Sequence, residues 1–332
     1  MKVLVTGATG FVGSWLTRRL LDEGHEVRVL RRERSDLDEI KNLRVEHTLG
    51  DVSDSGAVDQ AVTNQDLVFH LAGLVGYSRA MRPAMILANV VGTNNIVESC
   101  AKHGVKKLVY LSSVVAVGAS FDGKAPLDEN SDYNLSHLDL GYFETKRKAE
   151  EIVLEAARKN RIQAVALNPS TIYGPGDAKK GSRKVQVKVA QGKFPFYPPG
   201  GVNVISVEDV VDAIVASIDL GRSGERYILA GENLLIKDVF RLIAHEAGVA
   251  PPRIKLPGWL VHAIGRYGDY LEKKDKKGPI NSENAWASTL YHWFDASKAK
   301  AELGFNPKPA AYAIKQSVDW MKNNGLLNSS NG

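Results

Sequence analysis

Apolar and polar positions along the first half of this chain follow a regular strand-then-helix rhythm. Met1–Thr6 is a short apolar run, enough for one buried strand, and Ser14 to Glu23 has amphipathic helical spacing that closes on Gly24. Further apolar runs predict strands at Glu26–Leu30, Arg44–Thr48, Asp66–Leu71, Lys107–Ser112 and Gln163–Leu167. Helical periods predict helices at Asp51–Val62, Pro83–Lys102 and Gly141–Asn160. The Asp66–Leu71 run is continuously apolar, as a strand buried on both faces should be. Strands alternating with helices of this length predict an α/β fold with a doubly wound parallel sheet and right-handed crossovers.

After Pro169 the rhythm breaks, and glycine and proline cluster at Gly174-Pro175-Gly176 and Pro198-Pro199-Gly200-Gly201. Shorter elements are expected there: helices at Arg183–Gln191, Val207–Leu220, Ile236–Ala247, Trp259–Tyr270, Ser297–Leu303 and Ala310–Asn323, and a strand at Arg226–Leu229. The chain therefore divides into a nucleotide-binding domain over 1–170, to which 203–222 returns, and a smaller, mostly α-helical substrate lobe over 171–325. Residues 326–332 read as a disordered tail.

The first turn carries the first chemistry. Strand, Gly7-Ala8-Thr9-Gly10-Phe11-Val12-Gly13 and helix form the layout that seats a diphosphate on a helix N-terminus. Gly7 allows the tight turn, Gly10 lets backbone N–H groups approach phosphate, and Gly13 permits close helix–strand packing. Glycines three apart differ from the ordinary dinucleotide fingerprint. Their spacing, and T-G-A-T-G-F-V-G as a whole, resembles the extended branch of the short-chain dehydrogenase/reductase superfamily, which has a Rossmann-type sheet. The resemblance implies a nicotinamide cofactor held by Gly7, Thr9, Gly10, Phe11, Val12 and Gly13.

At the end of the second strand an acid would bind a ribose 2′-hydroxyl, whereas arginine accommodates a 2′-phosphate. Arg31 and Arg32 stand there, with no acid before Glu33, and two guanidinium groups suit a phosphate. NADP(H) is therefore favoured over NAD(H). By resemblance, Asp51 and Val52 lie near the adenine, and Leu71, Ala72 and Gly73 pass under its ribose.

Tyr142-Phe143-Glu144-Thr145-Lys146 is the second strong signal. Residues four apart share one helix face. An ammonium about 4 Å from a phenolate, at an effective dielectric near 20, stabilises it by roughly 4 kcal/mol. That would bring the phenol, with an ordinary pKa near 10, into a range useful for proton transfer. Ser112-Ser113 follows the fifth strand, at the sheet edge where such folds bind ligands. The family's S-x-x-V-Y-G motif selects Ser113 as the third catalytic member, although Ala116-Val117-Gly118 lacks its aromatic residue. Ser112, Tyr142 and Lys146 are also implied cofactor contacts, as are Pro169 and Ser170 in Asn168-Pro169-Ser170-Thr171. Asn89, in an N-V-x-G-T motif, reads as structural.

The resemblance extends to Ile205-Ser206-Val207-Glu208-Asp209-Val210 and to Phe294-Asp295-Ala296-Ser297-Lys298-Ala299, and is strongest to dihydroflavonol 4-reductase-like reductases and hopanoid-associated sugar epimerases. Both chemistries need the same hydride machinery, but the epimerases also need a nucleotide-sugar clamp. Thr171 stands where an asparagine commonly does, and Gly201-Val202-Asn203-Val204 lacks the usual preceding arginine. An NADP(H)-dependent oxidoreductase acting on a carbonyl or alcohol is the expected function, with a nucleotide-sugar epimerase or dehydratase as the alternative. A non-catalytic NADP-sensing regulator is the lesser alternative, since it predicts damage to Tyr142 or Lys146 and both are intact. Leu74–Pro83 with Tyr77 and Arg79, Asp122–Asp139 with His137, and Lys179–Gly201 are expected to wall the substrate pocket, together with Tyr267 and Trp286.

The 332 residues are 44% hydrophobic and 24% charged, with net charge +5, ordinary for a globular protein. The densest basic run, Lys273-Lys274-Asp275-Lys276-Lys277, reads as a solvated loop, so no nucleic-acid partner is expected. Nothing approaches the roughly 20 apolar residues of a membrane span, and the first strand at Lys2 leaves no room for a signal peptide. A single cysteine, Cys100, excludes an internal disulfide and fits a reducing compartment. Cytoplasmic location, no membrane partner and no metal site are the resulting expectations. Related enzymes pair through a four-helix bundle, which Pro83–Lys102 and Gly141–Asn160 would supply in a homodimer.

Overall fold

The structure is a computed structural model and describes residues 1–179 and 183–327. Six strands form in the expected order: β1 (Lys2–Thr6), β2 (Glu26–Arg31), β3 (Glu46–Leu49), β4 (Leu67–His70), β5 (Lys107–Leu111) and β6 (Ala164–Pro169). All pair in parallel, in the order β3-β2-β1-β4-β5-β6, and Arg226–Leu229 adds a seventh strand beside β6. That strand comes from the stretch expected in the C-terminal lobe. The order reverses between β1 and β4, the switch point at which open α/β sheets bind ligands beyond their carboxyl ends.

Alternating side chains bury both faces of the sheet. Val3 and Val5 join Leu16, Leu20, Val210 and Ile214 under the Phe11–Asp22 and Val207–Leu220 helices. Leu4 and Val68 face the other way, with Val58, Ile96, Val97 and Val153 from the Ser55–Val62, Gly92–His103 and Gly141–Arg158 helices. A separate core, including Val239, Phe240, Ile314 and Val318, lies beneath the Ile236–Ala247 and Ala310–Asn323 helices. A second sheet built on Gly201–Ser206 pairs with Glu232–Leu235, Tyr291–His292 and Thr171–Tyr173.

Three details differ from the sequence-based expectation. The helix expected from Pro83 to Lys102 contains a π-helical segment, Ile86–Val91, between Arg82–Met85 and Gly92–His103. Within it the buried Asn89 accepts a hydrogen bond from Leu74 N at 2.7 Å and donates to Thr145 Oγ1 at 3.1 Å. Its tie to the loop at Leu74 and to the Gly141–Arg158 helix at Thr145 coincides with the wider turn. Leu326 and Leu327, assigned to a disordered tail, pack against the C-terminal core; the rest of that tail, 328–332, lies outside the described residues, as do 180–182 of the expected pocket wall. Tyr267, expected at the pocket wall, is 57% exposed on the face of the Gly258–Glu272 helix opposite Gly265 and Gly268. Among the described residues no helix is long and apolar enough to cross a membrane, and no group of side chains could hold a metal ion.

The first helix packs most tightly on its preceding turn at Gly13, where a Cβ would stand 2.1 Å from the Gly7 carbonyl oxygen. Gly13→Ala must therefore push the first helix off β1. The expected cost is about 2–4 kcal/mol, read by urea denaturation; an unchanged midpoint and slope would contradict the contact.

Candidate functional site

The carboxyl ends of six strands bring the expected residues to one edge of the sheet. Gly7–Gly13 follows β1, Arg31 and Arg32 end β2, Asp51 and Val52 follow β3, and Leu71–Gly73 follows β4. Ser112 and Ser113 follow β5, and Pro169 and Ser170 end β6.

The first turn is built for close approach. Gly7 has φ +76°, and a Cβ on it would stand 2.7 Å from Ala72 N and 2.8 Å from Leu71 C. Gly10 N donates to Gly7 O at 2.9 Å. Gly10 is also the cap of the Phe11–Asp22 helix, which has no side-chain cap and no acid in its first turn. The N–H groups of that turn and the positive end of the helix dipole therefore suit an anion. Ala72 N donates to Thr6 Oγ1, joining the Leu71–Gly73 turn to β1.

The adenine-side residues are placed less uniformly. Asp51 Oδ1 accepts from both Ser53 N and Ser53 Oγ. Val52 is buried under Gly92, where a Cβ would come within 2.7 Å of its Cγ2. Arg31 donates through Nε to His47 Nδ1 at 3.0 Å and through Nη1 to Arg32 O, and the Arg32 side chain is exposed.

The Gly141–Arg158 helix carries Tyr142 and Lys146 on one face. Burial, reinforced by Tyr77, pushes the Tyr142 phenol well above its ordinary range, against a hydrogen bond from Ser113 that pulls it down. Lys146 Nζ donates to Tyr110 Oη and to Leu111 O, each at 2.8 Å. Burial pulls its pKa down to about 7, opposed by Glu150. The expected lowering of the phenol by this lysine is thus not what the arrangement produces. Desolvation outweighs the attraction, and the ammonium is turned toward β5.

A buried polar network supports these groups, and most of it is invisible in the strand pattern. Asn168 Nδ2 donates to Ser113 O at 3.0 Å and to Glu150 Oε2, and Arg226 pairs with Glu150 at 3.4 Å. Glu150 stands four residues after Lys146, as Lys146 does after Tyr142, a spacing that would have revealed it. His70 bonds Thr6 Oγ1 at 2.7 Å and Thr93 Oγ1 at 3.0 Å and stacks on Tyr110. Burial holds it neutral, with its pKa pulled down to about 3. Tyr110, inside an apolar strand, gave no sequence signal.

Of the expected pocket walls, the Tyr77 ring lies 6.3 Å from Tyr142, while Arg79 is turned outward to Asp139. Phe121 contacts both Trp286 and His137. A cavity of about 520 Å³ opens among Ala119, Phe121, Leu127 and Asn134.

With this geometry in view, comparison with known proteins is decisive at the family level. The model of the NAD dependent epimerase/dehydratase family matches residues 3–230. This chain belongs to that family. A putative dihydroflavonol 4-reductase from Synechocystis is 32% identical, covering 97% of this chain and 95% of its own length. The sterol demethylase protein B of Methylococcus capsulatus is 29% identical, covering 98% and 100%. The crystal structure of gox2253 superposes with a TM-score of 0.87 at 34% identity, covering 98% of this chain and 99% of that one. The resemblance to extended short-chain dehydrogenases/reductases is borne out, and with it the Rossmann-type α/β fold. The family's chemistry is NAD(P)-dependent, and relatives named as reductases align along nearly the whole chain.

The Lys146 arrangement has a consequence for stability. The ordinary lysine value of 10.5 holds in the unfolded chain and about 7 in the folded one. Between those values the unfolded chain binds more protons, so stability rises with pH. From pH 7 to 9 the wild type should gain about 2 kcal/mol more than Lys146→Met. Parallel urea melts at both pH values check this, and equal gains would refute the buried-amine assignment.

Proposed function

We propose that this protein is an NADPH-dependent reductase of a ketone or aldehyde on a mainly apolar molecule, with Tyr142 as proton donor. The observation that carries the reading is the Tyr142 side chain, partly buried against Tyr77 and held as the neutral phenol beside Ser113. A neutral phenol is poised to give a proton to the alkoxide formed when a carbonyl is reduced, the direction opposite to the first step of an epimerase. Ser113 is the hydroxyl that would hold and polarise the substrate oxygen. Lys146, one helical turn on and titrating near neutrality, would balance the phenolate left behind by turning from Tyr110 toward it.

Gly7, Thr9, Gly10, Phe11, Val12 and Gly13 would hold the cofactor diphosphate on the uncapped helix. Arg31 and Arg32 would hold its 2′-phosphate, Asp51 and Val52 its adenine, and Leu71–Gly73 its ribose. Ser112, Pro169 and Ser170 would flank the nicotinamide. When bound, the cofactor supplies the hydride.

Packing speaks against a nucleotide-sugar clamp. A Cβ at Gly201 would stand 2.5 Å from Trp293 Nε1, and one at Gly200 2.4 Å from Ser288 O, so neither position admits an arginine. Asn203 is fully buried and bonded to Ser170 Oγ, Gly231 N and Asn233. The dihydroflavonol and sterol in the relatives' names agree with an apolar ring substrate. The free, buried Cys100 fits a reducing cytoplasm. Ile86, Leu87 and Val91, exposed on the long interrupted helix, are the contacts through which the four-helix-bundle homodimer would form.

NADPH oxidation measured against a panel of carbonyls, and separately against nucleotide sugars, tests the reading. Carbonyl-dependent oxidation is expected. Turnover of a sugar nucleotide with none of any carbonyl would overturn it, and NADPH binding with neither would favour the sensor. Tyr142→Phe should lower kcat by about 10²–10⁴-fold with NADPH affinity retained. In a separate binding titration, replacing Arg31 and Arg32 together by alanine should weaken NADPH by about tenfold or more and leave NADH unchanged. Equal losses for both cofactors would remove the arginines from the 2′-phosphate site.

A further inference from the structure

The Gly258–Glu272 helix presents two opposite faces. Val261, Gly265 and Gly268 are buried against the segment leading into the Ser282–Thr289 helix. A Cβ at Gly268 would stand 1.7 Å from Ile280 O, and one at Gly265 2.9 Å from Ala285 Cβ, so this side is locked in place. The other side carries Trp259, Arg266, Tyr267 and Tyr270 in a single helical stripe that runs on into Lys273 and Lys274. Trp259 is 72% exposed, Tyr267 57% and Tyr270 52%, and Ile254, just before the helix, is 50% exposed. Large aromatic side chains held outward on a rigid helix are unusual for a surface that meets only water.

The surroundings of the stripe are basic. Arg253, Lys255, Arg266, Lys273, Lys274, Lys276 and Lys277 are all exposed. The Lys274 ammonium lies 4.8 Å from the Tyr270 ring centre. The nearby acids are mostly turned inward: Asp269 accepts from Ser282 N and Glu272 from Ser78 Oγ. Only Asp275 stands exposed within the basic run. Tryptophan and tyrosine bodies with lysine and arginine around them match the boundary of a bilayer, where rings sit at headgroup level and ammonium groups meet anionic lipid.

We propose that this face docks the protein peripherally on an anionic lipid bilayer. The same helix is tied to the segment that packs on Tyr142. Its Glu272 holds Ser78, and Asn281 donates to Tyr77 O, next to the ring that lies 6.3 Å from Tyr142. Docking would therefore bring the segment that carries Tyr77 to the membrane, where an apolar substrate would be dissolved. The docking itself does not depend on the proposed reaction.

Co-sedimentation of the full chain with phosphatidylcholine vesicles, with and without phosphatidylglycerol, tests the proposal without reading activity. Binding is expected to the mixed vesicles at low salt and to weaken as salt rises. Trp259→Ala/Tyr267→Ala/Tyr270→Ala and, separately, Lys273→Glu/Lys274→Glu should each reduce partitioning by about tenfold or more. Both variants should keep the wild-type circular dichroism, since only exposed side chains change. Absence of binding to mixed vesicles would overturn the proposal, as would an aromatic variant that partitions like the wild type. So would a concentration-dependent dimer, seen without vesicles, that the aromatic variant abolishes, because a second copy would then cover the face.

Discussion

Everything at the carboxyl edge of the sheet depends on how closely the Phe11–Asp22 helix lies against the turn that precedes it. Gly13 touches the Gly7 carbonyl, and Gly7 in turn touches the Leu71–Ala72 backbone after β4. Three chain segments meet there with no room for a single methyl group. The contact fixes the axis of the first helix, leaves its first-turn N–H groups without a side-chain cap, and draws the ends of β1 and β4 together at the switch point. A helix displaced by one side chain would still bury Leu16 and Leu20, but it would no longer point its N-terminus along the sheet edge.

The same edge shows burial deciding the protonation states. The attraction between a lysine and a phenolate about 4 Å apart is worth roughly 4 kcal/mol at an effective dielectric near 20. Moving Lys146 from 10.5 to about 7 corresponds to on the order of 5 kcal/mol in the other direction. Desolvation therefore wins for the lysine, and it wins for Tyr142 and His70 as well. What keeps these groups in place is hydrogen bonding: Lys146 to Tyr110 and Leu111, His70 to two threonines, Asn168 to Ser113 and Glu150. Each buried polar atom that is matched holds its neighbour to one geometry, the property a proton-transfer site needs.

All seven strands of the large sheet, the glycine turn and the placing of Ser113, Tyr142 and Lys146 at its carboxyl edge were legible because their signals are local. A continuous apolar run and a four-residue spacing can be read without knowing what packs on them. The supporting groups were not legible for the opposite reason. Tyr110 is an ordinary aromatic in a strand until the Gly141–Arg158 helix places an amine above it. Arg226–Leu229 could be read as a strand, but its place beside β6 depends on pairing across about sixty residues. Tyr267 was expected at the pocket wall, but which stripe of its helix faces the lobe depends on Gly265 and Gly268, whose packing cannot be read from spacing alone.

The second half of the chain thus separates two uses of glycine. At Gly7 and Gly13 the missing side chain makes room for backbone approach beside a candidate anion site. At Gly200 and Gly201 it lets the second sheet close on Ser288 and Trp293, and so excludes a long cation from the position where a sugar-nucleotide clamp would reach. Asn203, two residues on, spends its hydrogen bonds on Ser170, Gly231 and Asn233. A lobe closed in this way sets Tyr77 against Tyr142 and Phe121 against Trp286, and the cavity beside Phe121 is lined by Asp122 and Lys124 as well. The neutral phenol and these rings are the features on which the proposed reduction of a carbonyl, a hydride followed by a proton, rests.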